Sequence, residues 1–163
     1  MLNENVKWFF PESMDEAINY LKDNESYSFH SGGTAILRLK SKNIKGFIDL
    51  GKLDLKYIKA EKDKISIGAM TTFSEIISSN IEAKSYKMLQ KALAPAASTP
   101  LRNRISVGGS IIDSPIWSDL WSTLLSLNAK IVYINLNGEE NLIEAEEFIK
   151  KGIKKLNIEM RLD

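Results

Sequence analysis

The chain has 163 residues, 44% of them hydrophobic, with 22 basic against 21 acidic side chains for a net charge of +1. This is enough apolar material to bury a core and too much for a disordered tail, while the scattered, balanced charge excludes the basic footprint that a nucleic-acid backbone selects. There is no cysteine and a single histidine, His30, which excludes disulfides, thiolate nucleophiles, cysteine-ligated zinc or iron–sulfur centres and any site with two imidazole ligands within these residues.

The opening MLNENVKWFF is too polar and too short for an export signal, and no run approaches the roughly 18 apolar residues of a membrane span. With no disulfide framework either, the expectation is a cytoplasmic protein. Ser13 with Glu16 three residues on predicts a capping box, opening a helix through Ala17, Ile18 and Leu21 that fades near Asn24. Tyr27-Ser28-Phe29 has the composition of a short strand, and Ser31-Gly32-Gly33-Thr34 follows it. A short helix with Ile36, Leu37 and Leu39 leads to a second strand, Gly46 to Leu50. This strand, loop, helix, strand order argues for a small parallel sheet.

From Tyr57 the texture changes. Tyr57 to Ala60 and Ile65 to Gly68 flank a charged turn and predict a hairpin, and Thr72 with Glu75 predicts a second capping box. A helix over Ser85 to Leu93 must stop at Ala94, because Pro95 follows. Pro95 to Pro100 is predicted as a linker delivering RNRISVGGSIIDSPIWSD, Arg102 to Asp119. There a strand-like Ile105-Ser106-Val107 runs into Gly108-Gly109-Ser110, a turn at Ser114-Pro115, and a helix start at Ser118-Asp119. That helix reaches Leu127 with Asn128 as its C-cap, and a strand, Ile131 to Ile134, follows. Asn137-Gly138 signals a type I′ hairpin before Leu142-Ile143. A short helix, Ala145 to Lys151, closes at Gly152, and Leu156 to Leu162 alternates like a strand. Residues 1–55 and 56–163 read as two lobes.

Glycine pairs have no Cβ, so backbone N–H groups can close on a diphosphate, and two such loops suit one dinucleotide held between them. Neither is a G-x-G-x-x-G fingerprint or a Walker A loop, which disfavours a Rossmann fold and a P-loop. Asp119 reads either as an acceptor for sugar hydroxyls or as a helix cap, and His30 either as a strand-end residue or as a catalyst. Arg102 and Arg104 read as phosphate partners or as structural pairs. Trp117 and Trp121, at i and i+4, read as one packing face or a docking surface. With so few acid/base side chains, any reaction falls to a bound cofactor.

The runs SGGTAIL, FIDLGKLDLKYI, ISIGAMTTFSEI and LRNRISVGGSIIDSPIWSDLWSTLLSLNAKIV, followed by EEFIKKG, resemble the FAD-binding domain of the molybdenum hydroxylases, the family of xanthine dehydrogenase and the medium subunits of carbon monoxide dehydrogenase. The resemblance implies an α/β (α+β) fold of the PCMH type, in which a small parallel βαβ lobe and a larger mixed or antiparallel lobe with helices hold FAD in the cleft between them. It implies that Phe29, His30, Ser31, Gly32, Gly33, Thr34, Ala35 and Ile36 form a first pyrophosphate loop, binding mainly through backbone N–H groups. It implies a second such loop at Ser106, Val107, Gly108, Gly109 and Ser110, with Asp119 on the sugar or ribityl hydroxyls. Many members carry Asp where Ala35 stands and Asn where Ser110 stands.

By the same resemblance the flavin takes electrons from iron–sulfur clusters reduced by a molybdenum centre and passes them to NAD or another acceptor. The partners implied are a molybdenum-cofactor large subunit and a [2Fe-2S] small subunit, with no catalytic side chain and no metal in this chain. The family's further C-terminal domain is absent from this sequence. That absence and the Ala35 and Ser110 departures motivate an alternative, a flavin-free scaffold or interaction module that keeps the fold.

Overall fold

The computed structural model describes residues 6–36, 44–115, 118–152 and 156–162. The first lobe is built on a three-stranded, wholly parallel sheet of order β1-β3-β2, made by β1 (Lys7–Phe9), β2 (Tyr27–His30) and β3 (Gly46–Asp49). The edge strand β1 is not legible in the sequence, because its three residues follow a polar stretch and show no alternation of burial. Between β1 and β2 lies α1 (Met14–Asp23), which buries Ala17 and Ile18 and ends at the C-cap Asn24. Its capping box is rearranged. Ser13 Oγ accepts from Glu16 N at 3.1 Å, but the Glu16 carboxylate takes the N–H of Glu12 at 2.7 Å instead of that of the cap. Tyr20 of α1 stacks on Phe9, ring centres 3.7 Å apart, and so ties the helix to β1. Most of the helix expected after the first glycine pair, including Leu37 and Leu39, lies outside the described residues.

The second lobe is helical on one side and a five-stranded antiparallel sheet on the other. In chain order it contains β4 (Ile58–Ala60), β5 (Ile65–Gly68), α2 (Phe73–Ser78), α3 (Lys84–Leu93), α4 (Thr99–Arg102), α5 (Val107–Asp113), α6 (Asp119–Ser126), β6 (Lys130–Ile134), β7 (Glu140–Glu144), α7 (Ala145–Lys150) and β8 (Leu156–Leu162). The sheet order is β4-β5-β8-β6-β7, with Ile67 facing Met160 and Met160 facing Ile131 across the central strands. Ile65, Ile67, Ile131, Met160 and Leu162 belong to one buried cluster with Phe73 and Ile76 of α2, Tyr86 and Leu89 of α3, Leu120 and Leu124 of α6, and Phe148 of α7.

Three local readings change. The expected linker before Leu101 ends in the start of α4, with Pro100 in its first turn, where a missing N–H costs nothing. The β6–β7 turn is not type I′. Asn135 Oδ1 accepts the N–H groups of Asn137 and Glu139, and Gly138 alone takes a left-handed φ of 86°, which gives a three-residue loop. Helix α6 is capped at Leu127, with Asn128 the left-handed residue beyond it at φ 48°. The α2 box is complete: Thr72 Oγ1 accepts from Glu75 N and the Glu75 carboxylate from Thr72 N. Trp121 stacks against Phe148 in the core, ring centres 5.9 Å apart, which is the packing role; Trp117 lies outside the described residues.

Candidate functional site

The segment expected to run as a strand into a glycine loop is a helix start. Ser106 makes a single bridge with Thr72 and then caps α5, so Gly108 and Gly109 lie in the first helical turn. Ile105 and Val107 read as strand because they are β-branched, yet Ser106 Oγ accepting from Gly109 N at 3.2 Å stabilises the helical alternative. Gly108 serves packing. A Cβ there would stand 2.5 Å from the Ala69 methyl and 2.9 Å from the Ala69 carbonyl oxygen.

The backbone donors of this segment are consequently engaged inside the protein. Val107 N donates to Thr71 O, Gly108 N to Ala69 O, both at 2.9 Å, and Ser110 N to Ser106 O at 3.0 Å. The first glycine segment is the converse. Gly33 sits at φ 73°, and no described residue accepts from the N–H of Gly32, Gly33 or Thr34. A positive φ turns successive N–H groups toward one side, which makes an anion-binding concavity.

The two segments meet. Ser31 Oγ lies 2.9 Å from Ser106 Oγ, and a Cβ on Gly32 would fall 1.5 Å from the backbone oxygen of Arg104. Only glycine permits that approach. Arg104 Nε also donates to Gly32 O at 3.1 Å. Arg102 spans Ala96 O and Ala97 O, at 3.1 and 2.7 Å, and Thr99 Oγ1 at 2.9 Å. Both arginines therefore hold backbone.

Beside this seam opens a cleft of about 1550 Å³, above the roughly 300–1,000 Å³ usual for a small-molecule site. Phe29, Ser31, Gly33, Thr34, Ala35 and Ile36 line it from the first lobe, and Ser106, Gly108, Gly109, Ser110 and Asp119 from the second. His30, Gly32 and Val107 lie outside its lining: Val107 is fully buried, Gly32 is pressed on Arg104, and His30 Nδ1 pairs with Asp49 Oδ2 at 3.1 Å. That pair is a strand-end arrangement set by the β2–β3 register, which only the fold reveals.

Asp119 is the first residue of α6, and its neighbour Ser118 does the capping, accepting from Leu120 N at 3.3 Å. No described residue hydrogen-bonds the Asp119 carboxylate. Apolar walls that the sequence did not signal come from Met70, Pro95, Ala96, Leu101 and Leu136. Among the described residues there is no metal-ligating cluster and no helix long and apolar enough to cross a membrane.

Open N–H groups at a left-handed glycine, hydroxyls across from them, an unpaired carboxylate and long apolar walls form a donor set for a diphosphate joined to a polyol and flat rings. The family comparison agrees. Residues 4–159 match the model of the FAD binding domain in molybdopterin dehydrogenase. The chain belongs to this family.

Among relatives of this FAD-binding domain, the glyceraldehyde dehydrogenase medium chain of Sulfolobus acidocaldarius is 28% identical over 143 residues, covering 85% of this chain and 50% of its own. The xanthine dehydrogenase FAD-binding subunit of Escherichia coli O157:H7 is 30% identical over 124 residues, covering 73% of this chain and 42% of its own. The chain spans about half the length of the curated relatives it matches. Carbon monoxide dehydrogenase of Hydrogenophaga pseudoflava superposes with a TM-score of 0.88 over 99% of this chain and 60% of that one, at 24% identity. Quinoline 2-oxidoreductase of Pseudomonas putida 86 gives 0.87 over 96% and 58%, at 23% identity. These two show the fold: a parallel lobe and an antiparallel lobe about one cleft. FAD is the cofactor of this family of oxidoreductase subunits, and the donor set described above fits it.

Proposed function

We propose that the chain is the FAD-binding unit of a molybdenum hydroxylase-type oxidoreductase, relaying electrons from iron–sulfur clusters to NAD or another acceptor within a cytoplasmic complex. Its partners in this reading are a molybdenum-cofactor large subunit and a [2Fe-2S] small subunit, and residues 1–55 and 56–163 act as the two lobes that grip the cofactor. The observation that carries the reading is the cleft itself, lined by Gly33 and Thr34, from whose N–H groups no described residue accepts, and by Asp119, whose carboxylate no described residue hydrogen-bonds.

Bound FAD supplies reversible uptake and release of electrons, and the protein supplies position and surroundings. The first glycine segment binds the diphosphate through its backbone N–H groups, at little reorganisation because Gly33 already holds the left-handed turn. The α5 start contributes differently from a second nest. Its N–H groups are taken, so Gly109 and the Ser110 side chain act by allowing close approach and by offering a hydroxyl. Asp119 accepts from a ribose or ribityl hydroxyl.

The purified chain is mixed with FAD, passed through gel filtration, and read by visible absorption. Retained flavin, released as FAD on denaturation, supports the reading, and a folded, colourless protein overturns it in favour of a scaffold. Asp119→Ala is expected to weaken FAD binding by about 1–3 kcal/mol, one charge-assisted hydrogen bond, with the urea midpoint unchanged because Ser118 caps α6.

A further inference from the structure

The first glycine segment is held from outside the cleft, and the hold comes from the other lobe. Arg104 is exposed and does not line the cleft, and no carboxylate among the described residues pairs with it. Its hydrogen bond runs from Nε to Gly32 O at 3.1 Å, while Nη2 would lie 3.5 Å from a Cβ on Gly33. His30 Nε2 would stand 2.8 Å from the same Cβ, and Asp49 fixes that imidazole through Nδ1. The first glycine segment thus has a guanidinium from the second lobe on the Gly32 carbonyl and an imidazole from the first beside Gly33, while no described residue accepts from the N–H groups of Gly32, Gly33 or Thr34.

We infer that Arg104 is a positioning residue for cofactor binding: by donating from Nε to Gly32 O it fixes the orientation of the Gly32–Thr34 N–H groups, acting through the backbone and not through its charge. This rests on the proposed binding of FAD by that segment. Unclamped, the segment would have to be ordered on binding, and that entropy would be subtracted from affinity. The inference also accounts for an arginine of the RNR run placed beside a proposed diphosphate site yet turned out of the cleft.

Side-chain chemistry separates position from charge. In glutamine the amide nitrogen is bonded to Cδ, as Nε is in arginine, so Arg104→Gln keeps an N–H donor at the same place without charge. Arg104→Lys keeps the charge, with a methylene at that place. Arg104→Met keeps neither. Because the side chain is exposed, all three variants are expected to fold, which urea midpoints check. FAD dissociation constants are measured by titration, and 15N order parameters of Gly32, Gly33 and Thr34 are measured on the flavin-free proteins.

The expected result is wild-type affinity for Gln, a roughly three- to tenfold rise in Kd for Lys and Met, and order parameters that fall in Lys and Met only. Rescue by Lys with loss in Gln would show a charge contact with the diphosphate and overturn the inference, as would equal order parameters in all four proteins. Failure of the wild type to bind FAD would remove the functional reading, while the order parameters would still decide whether Arg104 fixes the segment.

Discussion

Gly32-Gly33 and Gly108-Gly109 are the same dipeptide in opposite settings. At the first, Gly33 holds a left-handed turn, no described residue accepts from the N–H groups, and the Gly32 carbonyl is gripped by Arg104. At the second, the glycines begin a helix whose donors are spent on Thr71, Ala69 and Ser106, and their value lies in what they lack, a Cβ that would strike Ala69 or the two serine hydroxyls. One pair leaves its donors open and the other pair spends them and packs. The lesson is that a glycine pair beside a cleft has two distinct reasons to exist, and that hydrogen-bond accounting on the N–H groups tells them apart.

The contrast is broken most severely at Gly32. A Cβ 1.5 Å from the Arg104 oxygen meets backbone, which cannot swing away, so Gly32→Ala is expected to cost about 3 kcal/mol of stability by urea denaturation and to abolish FAD retention on gel filtration. Ser106→Ala removes both the α5 cap and the bond to Ser31, and should cost about 1–2 kcal/mol with a smaller loss of FAD affinity. Gly109→Ala is milder still. Its Cβ would meet only Ser106 Oγ at 2.8 Å and Ser31 Oγ at 3.2 Å, the ends of short side chains, and alanine favours the helix, so the urea midpoint should move by less than about 1 kcal/mol either way.

The smallest effect concerns the support beneath the second segment, the box that starts α2 beside the Thr72–Ser106 bridge. Burial raises the Glu75 carboxyl, but Lys56 at 2.7 Å and the Thr72 donors outweigh it and hold it below its ordinary 4.5. A depressed carboxylate contributes stability that is fully present above the unfolded value and lost as pH falls through the folded one. Urea midpoints taken downward from pH 4.5 should therefore fall less steeply in Glu75→Gln than in the wild type.

Much of this was legible in the chain. The Thr72-Glu75 box, the stop before Pro95, the Tyr57–Gly68 hairpin and the parallel pairing of β2 with β3 follow from local chemistry, and the structure contains them. The helical setting of Gly108-Gly109 was not, because Ile105 and Val107 favour extended backbone and only contact with residues 69–73 brings the segment to a helix start. Eleven of the fourteen expected site residues line the cleft. The exceptions have tertiary causes: Gly32 is pressed on the Arg104 backbone, His30 pairs with Asp49, and Val107 fills the core. Nor could spacing reveal that Arg102 and Arg104 end on carbonyls, since Arg102 turns back on the local Ala96 and Ala97 only at the start of α4, and Gly32 comes beside Arg104 only when the chain folds.

The order β4-β5-β8-β6-β7 sets when the sheet of the second lobe closes. Strand β8 lies between β5 and β6, and its Met160 and Leu162 are wholly buried, so the hairpin β4–β5 and the hairpin β6–β7 are joined only through residues 156–162. A ribosome releasing this chain would present two separate hairpins and an unclosed core until that segment emerged. Pairing of β5 with β8 spans more than half of the sequence, and so distant a closure carries a loop-closure penalty and slows folding. The interval before β8 inserts is when the unpaired edges of β5 and β6 are open to wrong partners, so synthesis itself is the stage at which this lobe is most exposed to aggregation.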